Sequence, residues 1–286
     1  MFKKTSIKLL AVLVLIGFLL SGWQPVRAST SSGSPVKIMP FGDSITSSVS
    51  ATTIHTIAVP AQASYRYWLD HSLHTALVSF VFTGTQTDNY GGPPKYPDFD
   101  HHHEGYSGKT TLDFLTAANS FYIDKILSSK SAGTTIPNIP DIVLLHLGTN
   151  DLAQGYSVAE ITSHLGTLID HFRTYNKNVI ILLAQIIPCA TATIYPVPYK
   201  SQPWCANVPS LNAAIPALVA QKYTLFSPVV VVDQYTGFNA TPGFDSYDGV
   251  HPNQSGEQKM AAKWLAAIEQ WYTYKVNQAF IPTVVK

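Results

Sequence analysis

Charged residues are scarce in this sequence, and the two signs nearly balance. The 286 residues include 18 Lys and Arg against 17 Asp and Glu, so 12% are charged and the formal net charge is +1. An average globular protein carries about 25% charged residues. No basic stretch stands out, which argues against a nucleic-acid partner and against electrostatic binding to an anionic membrane surface.

The long apolar run that a membrane-spanning helix needs is missing. Residues 9–20 are uncharged and mostly apolar, whereas a span needs about 20 such residues. Three lysines precede this run and Val26-Arg27-Ala28 follows it, which is typical of a signal peptide (residues 1–28) cleaved after Ala28. An uncleaved N-terminal anchor is the alternative. We expect a secreted, extracellular protein with no stable membrane association after cleavage.

Cysteine is almost absent. The 2 cysteines are Cys189 and Cys205, and in an exported chain they predict one disulfide. The bond would close a loop rich in Pro and Tyr and stabilise the fold by about 3 kcal/mol in the loop-entropy model. Two buried thiols are the alternative. No cysteine directly follows the N-terminal apolar run, so a lipoprotein anchor has no attachment point there.

Apolar segments of strand length alternate with longer amphipathic segments. This alternation predicts an α/β fold with a parallel sheet and helices on both faces, since strands buried on both faces are continuously apolar. We expect a flexible leader at 29–35, one domain at 36–276 and a C-terminal tail at 277–286. The predicted strands are 36–39, 77–82, 141–147, 179–184 and 229–232, and the predicted helices are 63–77, 112–127, 158–175 and 254–272.

Two polar motifs directly follow predicted strands. Gly42-Asp43-Ser44 comes after the first strand, and Gly148-Thr149-Asn150 comes after the third. Ligands of parallel sheets bind beyond the carboxyl ends of the strands. We therefore expect these two loops, which are distant in sequence, to meet at one site.

Ser44, His251 and Asp248 are the residue types needed for acyl transfer through a serine nucleophile. A free hydroxyl is a poor nucleophile and needs a base within hydrogen-bond reach, for which His251 is the candidate. Asp248, three residues before it, would orient the imidazole. Taken alone, each motif also fits a purely structural role. Gly-Asp-Ser is common in ordinary turns and helix caps, and Asp248 could simply form a turn before the last helix.

Asn150 and Gly108 are candidate donors to an oxyanion. The Asn150 amide and the backbone N–H groups of Ser44 and Gly108 would complete the hole, and each donor of this kind is worth about 100- to 1,000-fold in rate. The alternatives are a turn former for Asn150 and a left-handed turn for Gly108.

These motifs occur in a fixed order, and together they resemble the SGNH, or GDSL-type, hydrolase superfamily. Ser44 matches its first block, Gly108 its second, Asn150 its third, and Asp248 with His251 its last. The G-x-S-x-G elbow of α/β-hydrolases is absent. The resemblance implies a flavodoxin-like three-layer α/β/α sandwich with a five-stranded parallel sheet.

Within that superfamily the sequence is most similar to carbohydrate esterase family 3, the acetylxylan esterases. The similar stretches are 39–46, 64–69, 103–108 and 145–152. Two departures concern the substrate rather than the chemistry. Residues 47–57 form a Ser/Thr-rich stretch beside the nucleophile that is longer than expected, and Tyr106 stands where related sequences often place a histidine.

The resemblance implies a serine esterase that removes acetyl groups from a polysaccharide such as acetylated xylan. A lipid or aryl esterase of the same superfamily is the alternative, and a carbohydrate-binding protein without catalysis is a second; the complete set of catalytic residue types argues against the latter. No cofactor is expected. The run from His101 to Glu104 suggests metal binding, but adjacent residues do not easily share one tetrahedral site, so no metal site is predicted.

Overall fold

A computed structural model describes residues 34–50, 52–54, 57–59, 61–76, 78–190 and 203–279. The predicted signal peptide and most of the predicted leader lie outside these residues, as do residues 280–286 of the predicted tail. The side chains of 52–54, 57–59 and 273–279 are likewise outside the description.

The predicted parallel sheet is confirmed. Five strands run in the order β4-β1-β6-β7-β8, and every pairing between them is parallel. A sixth strand of 2 residues, β5, pairs in parallel with the end of β1 and was not predicted. The strands are β1 (Val36–Gly42), β4 (Phe80–Phe82), β5 (Glu104–Gly105), β6 (Ile142–His146), β7 (Ile180–Gln185) and β8 (Val229–Asp233).

A separate hairpin follows the segment that contains Ser44. Strands β2 (Thr52–Ile54) and β3 (Ile57–Val59) pair antiparallel and form a second, two-stranded sheet. They lie within and just beyond residues 47–57, the stretch whose length departs from the expected family pattern. The extra length is thus partly used for a hairpin.

Helices cover both faces of the main sheet. The predicted helix at 158–175 is confirmed as α6, whose first turn has a capping box between Ser157 and Glu160. The helices are α1 (Ser44–Ser47), α2 (Tyr65–Thr75), α3 (Thr111–Leu115), α4 (Ile123–Leu127), α5 (Thr149–Ala153), α6 (Val158–Tyr175), α7 (Val208–Lys222), α8 (Gln254–Ala279) and the 3₁₀ helix η1 (Pro203–Asn207).

The predicted single helix at 112–127 is wrong, because two short helices, α3 and α4, replace it. Thr116 adopts extended backbone at φ −90° and ψ 105° and ends α3. Asn119 Nδ2 donates to Asp113 O at 2.7 Å, a carbonyl that also accepts from Thr116 N where α3 ends. Short polar side chains compete with helical hydrogen bonds in this way.

Two further helices differ from the prediction. Helix α7, which carries Pro209 near its start and Pro216 inside it, was not predicted. Helix α8 continues to Ala279, seven residues past the predicted helix end at 272. In the part of the chain that the structure describes, no helix is both long and apolar enough to cross a membrane.

The core lies on both sides of the sheet, which gives the expected three layers. Successive residues of a strand point to opposite faces: Val143 and Leu145 of β6 pack in the cluster with α6 and α7, whereas Ile142 and Leu144 pack in the cluster with α2 and α8. All are fully buried. The continuous apolar pattern of the strands follows from this burial on two faces.

The strand order places a topological switch point between β1 and β6. The chain leaves β1 for β4 on one side and then returns to β6 on the other, and ligands bind at such a point. Gly42 pairs with His146 here, and a Cβ added to Gly42 would lie 2.6 Å from His146 O. A glycine is therefore required where the two strands approach.

Candidate active site

Ser44 is the first residue of α1 and lies directly beyond the carboxyl end of β1. Asp43 caps this helix: its Oδ1 accepts from Ile45 N at 2.9 Å. The first N–H groups of a helix have no intrahelical partner, so Ser44 N–H faces outward from the helix start. The Ser44 side chain is half-buried, so part of it remains exposed to solvent.

His251 and Asp248 join Ser44 in one hydrogen-bonded chain. The distance from His251 Nε2 to Ser44 Oγ is 3.0 Å, and His251 Nδ1 lies 2.7 Å from Asp248 Oδ2. With the ring proton on Nδ1, Nε2 accepts from the serine hydroxyl. The second oxygen, Asp248 Oδ1, accepts from His251 N at 2.7 Å, and this bond folds the loop that presents the imidazole.

Charge distribution at this site stabilises the protonated histidine. Burial alone would lower the pKa of His251, but the negative charge and hydrogen bond of Asp248, with a contribution from Asp43, raise the pKa above its usual 6.5. Burial would raise the pKa of Asp248, yet the charge of His251 and the backbone hydrogen bonds hold that pKa below its usual 3.8. The ring of Tyr247 is stacked parallel to His251, with centroids 5.6 Å apart.

The predicted second and third blocks reach the same edge of the sheet. Strand β5 pairs Gly105 with Gly42 of β1, and Tyr106 N donates to Gly42 O at 3.0 Å. Gly108 follows, exposed and at φ 77°. Asn150 lies in the first turn of α5 and its Nδ2 donates to Lys109 O at 3.1 Å. An amide nitrogen carries two hydrogens, so one remains for a ligand.

In the run from His101 to Glu104, two side chains form hydrogen bonds that shape the loop. His103 Nδ1 accepts from Gly105 N at 2.9 Å, and buried Glu104 accepts from Asn138 Nδ2 at 2.7 Å and Tyr106 OH at 2.9 Å. These contacts fix β5. Within the described ranges, no group of three or more His, Cys, Asp or Glu residues is arranged to hold a metal ion.

A disulfide joins Cys189 and Cys205, whose Cα atoms are 5.4 Å apart. Residues 191–202 between them lie outside the described part of the chain. Ala190 N donates to Gly249 O at 2.7 Å, so the disulfide-bonded segment is tied to the loop between Asp248 and His251. Trp204 of this segment is half-buried and packs against the core.

Sequence reasoning missed the buried charged residues around the site. Asp151 accepts from Thr111 N at 3.0 Å and so joins α5 to α3. Arg66 and Glu257 lie near α1 and are 0% and 2% exposed. Arg66 and Asp151 fall inside stretches that carry the family resemblance, but burial of a charge leaves no mark in one sequence. Glu257 looked like an ordinary residue in the first turn of the last helix.

Comparison with known proteins assigns the family. The sequence model of the GDSL-like lipase/acylhydrolase family matches residues 41–259. A multidomain esterase of Ruminococcus flavefaciens is 28% identical over 251 residues, which cover 85% of this chain but only 29% of that protein's length.

Two solved structures resemble this one over most of both chains. A carbohydrate esterase family 3 protein from Talaromyces cellulolyticus has a TM-score of 0.63 at 28% identity and covers 84% of this chain and 99% of its own. A family 3 carbohydrate esterase of Clostridium thermocellum has a TM-score of 0.60 at 27% identity, with coverage of 84% and 98%. The family match spans Ser44, Gly108, Asn150, Asp248 and His251. This chain belongs to the GDSL-like lipase/acylhydrolase family.

Proposed function

We propose that this protein is an exported serine esterase that removes acetyl groups from a polysaccharide, with acetylated xylan as the substrate. The observation that carries the proposal is the hydrogen-bonded chain from Ser44 through His251 to Asp248, which lies at the switch point of the sheet. Such a chain supplies a nucleophile, a base and a group that orients the base.

In the proposed mechanism, Ser44 Oγ attacks the ester carbonyl carbon while His251 Nε2 takes the hydroxyl proton. The imidazolium that forms is stabilised by Asp248, which explains the value of a raised histidine pKa. When the tetrahedral intermediate collapses, the bond to the sugar oxygen breaks and His251 returns the proton to that oxygen. Water, activated by the same imidazole, then releases acetate from Ser44.

The developing oxyanion is held by the N–H groups of Ser44 and Gly108 and by the Asn150 amide. The hydrogen bond from Asn150 to Lys109 O supports this assignment, because it fixes the orientation of the amide before the substrate arrives. Donors that need no reorganisation stabilise the transition state more than mobile ones. Gly108 precedes Lys109 in the sequence and Asn150 is hydrogen-bonded to Lys109 O, so the two proposed donors lie close together.

The choice of an acetylated polysaccharide rests on the two family 3 carbohydrate esterases, which align over almost their whole length. Export rests on the N-terminal sequence pattern, and the disulfide is compatible with an oxidising compartment. A short-chain lipid or aryl esterase is the second candidate, favoured by the lipase part of the family description.

A substrate panel tests the proposal. We expect a serine-directed phosphonate to label Ser44 and Ser44→Ala to abolish turnover. Each added methylene in a tight pocket changes discrimination by about 10- to 200-fold, so kcat/KM should fall steeply from p-nitrophenyl acetate to butyrate, and acetylated xylan should release acetate. Equal rates on acetate and octanoate esters, with no acetate from xylan, would favour the lipid esterase. Wild-type rates for Ser44→Ala would refute the mechanism.

A further inference from the structure

Two buried charged side chains lie on the side of α1 that faces away from its N-terminal cap. Arg66 belongs to the first turn of α2 and Glu257 to the first turn of α8. They are 0% and 2% exposed. Neither takes part in the proposed chemistry, yet both contact the segment that carries Ser44.

Arg66 binds the carboxyl end of α1. Its Nε donates to Thr46 O at 3.1 Å and its Nη2 to Ser47 O at 3.1 Å. The last carbonyls of a helix lack intrahelical partners, and a cation there is favourable. The same guanidinium donates to Asn89 Oδ1 at 2.7 Å, so its position is also fixed from the opposite loop.

Glu257 holds two residues in a backbone conformation that L side chains rarely adopt. Ser48, the C-cap of α1, has φ 61°, and Ser64, the N-cap of α2, has φ 74°; they are the non-glycine residues with positive φ among those the structure describes. Glu257 Oε1 accepts from Ser64 N at 2.8 Å and from Ser48 Oγ at 3.3 Å. Such strained residues persist where their surroundings fix them, often at functional sites.

The two charges act on α1 as one unit. Ser64 Oγ accepts from Arg66 Nε at 3.1 Å, while Ser64 N donates to Glu257. Glu257 also lies six residues after His251 and three residues into the helix that the His251 loop enters. This carboxylate therefore connects the segment after Ser44 with the segment after His251, although the two catalytic residues are 207 positions apart.

We propose that Glu257 and Arg66 are positioning residues that hold α1 by its carboxyl end and so keep Ser44 Oγ within hydrogen-bond distance of His251 Nε2. This inference rests on the proposed function. Well-packed apolar side chains commonly replace buried charges without loss of stability, so stability alone does not call for charges here. The contacts of these charges do call for them. Glu257 fixes the strained turns at Ser48 and Ser64, and Arg66 binds two carbonyls at the end of α1 that lack intrahelical partners.

The test compares Glu257→Gln and Arg66→Lys with wild type. In Glu257→Gln the new amide nitrogen would face a donor, either Trp68 Nε1, which now donates to Oε2 at 3.3 Å, or the two serines. A lysine lacks the planar fork that reaches both carbonyls. A small misplacement of a catalytic group costs up to about 100-fold, so we expect kcat and the rate of phosphonate labelling of Ser44 to fall about 10- to 100-fold, with little change in KM.

Arg173→Lys is the matched control. Arg173, in the last turn of α6, also binds carbonyls, and its Nη2 donates to Ser227 O at 2.7 Å. Ser227 lies just before β8, at the opposite end of the strands from Ser44. We expect this variant to lower the melting temperature as Arg66→Lys does and to leave kcat unchanged. Should Glu257→Gln not fold, Ser48→Ala, which removes a single hydroxyl contact with Glu257, must show the same loss of labelling rate.

The outcomes separate this inference from the proposed function. If wild type itself is not labelled at Ser44, the serine mechanism fails and the inference fails with it. If wild type is labelled but folded Glu257 and Arg66 variants are labelled at the wild-type rate, only the positioning role is overturned. An equal loss of kcat in Arg173→Lys would also overturn it, because the effect would then follow stability.

Discussion

At the scale of single residues, His251, the proposed base, has a pKa that neighbouring carboxylates raise. Burial works against protonation, and Asp248 and Asp43 more than offset burial, so the pKa lies above 6.5. A general base acts in its neutral form. The rate therefore falls as pH drops through the raised pKa of His251, and kcat/KM should show an acid limb above pH 6.5.

Replacing Asp248 by Asn tests this origin of the pKa. The variant loses the negative charge beside the imidazole, so the acid limb of kcat/KM should move to lower pH. Because the ring is also no longer held in the productive tautomer, kcat should fall by about 100- to 10,000-fold. The pH dependence of p-nitrophenyl acetate hydrolysis measures both effects. An acid limb that stays in place would show that Asp248 does not set the pKa of His251.

Asn150→Ala tests the oxyanion assignment. A donor that acts mainly on the transition state affects kcat more than KM, and we expect kcat to fall by about 100-fold or more. Asn176→Ala is a matched control, because Asn176 Nδ2 also donates to one carbonyl, Pro140 O at 2.8 Å, where α6 ends. An unchanged kcat with a raised KM would reassign Asn150 to substrate binding.

The candidate catalytic residues could be proposed from the sequence and the residues that support them could not, for a physical reason. Ser44, Asn150 and His251 stand in short linear motifs next to strands and a helix, so order and spacing identify them. Arg66 and Glu257 act through contacts between segments roughly 20 to 210 positions apart. Such contacts depend on the packing of α2 and α8 against the sheet, which local sequence does not encode.

At the scale of elements, the same distinction separates α6 from the helices that were predicted poorly. Helix α6 has a capping box and apolar residues at helical spacing, so local and tertiary preferences agree. The segment at 112–127 has apolar residues on both sides of Thr116, Asn119 and Ser120, which lie between α3 and α4. Its apolar residues pack into the core from two short helices. The spacing of these residues along the sequence therefore suggests one continuous helix that does not form. Helix α7 contains two prolines, and because proline is unfavourable inside a helix, the sequence did not indicate one there.

The disulfide-bonded segment is an element whose removal should affect catalysis. Ala190 N donates to Gly249 O at 2.7 Å, so the Cys189–Cys205 bond restrains the loop that presents His251. Loss of the bond should cost about 3 kcal/mol of stability and, through a looser loop, about tenfold in kcat. The measurement is esterase activity and urea unfolding with and without reductant.

The variant carrying both Cys189→Ser and Cys205→Ser is the control for that experiment. It should have the low kcat of the reduced protein and should not respond to reductant. If the reduced wild-type protein keeps full kcat at a temperature where it is folded, the contact between Ala190 and Gly249 does not depend on the disulfide, and the loop is held by its own hydrogen bonds.

At the scale of the whole molecule, the buried carboxyl groups near α1 set an unusual dependence of stability on pH. Burial raises the pKa of Asp43 from 3.8 to about 7 and that of Glu257 from 4.5 to about 7. A group whose pKa is higher in the folded state contributes stability that is fully present below its unfolded pKa and is lost as pH rises to the folded value. For these groups the loss falls between pH 3.8 or 4.5 and about 7.

Glu257→Gln removes one of these two titrations and measures it. The pKa shift of Glu257 from 4.5 to about 7 corresponds to about 3 kcal/mol. Between pH 4.5 and neutral pH, the free energy of unfolding of wild type should therefore fall by up to about 3 kcal/mol relative to the variant. Urea unfolding of both proteins across this pH range gives the difference directly.

Glu160→Gln provides a control of opposite sign. The hydrogen bonds from Ser157 lower the pKa of the exposed Glu160 carboxyl, so its contribution is present at neutral pH and is lost as pH falls. If the difference in the free energy of unfolding between wild type and Glu257→Gln does not change with pH, Glu257 is ionised throughout this range and Arg66 stabilises its charge. If the difference grows as pH rises, the protein keeps at neutral pH a carboxylate that lowers its stability. Together with a loss of Ser44 labelling in the same variant, that result would show that Glu257 is retained for the position of the nucleophile.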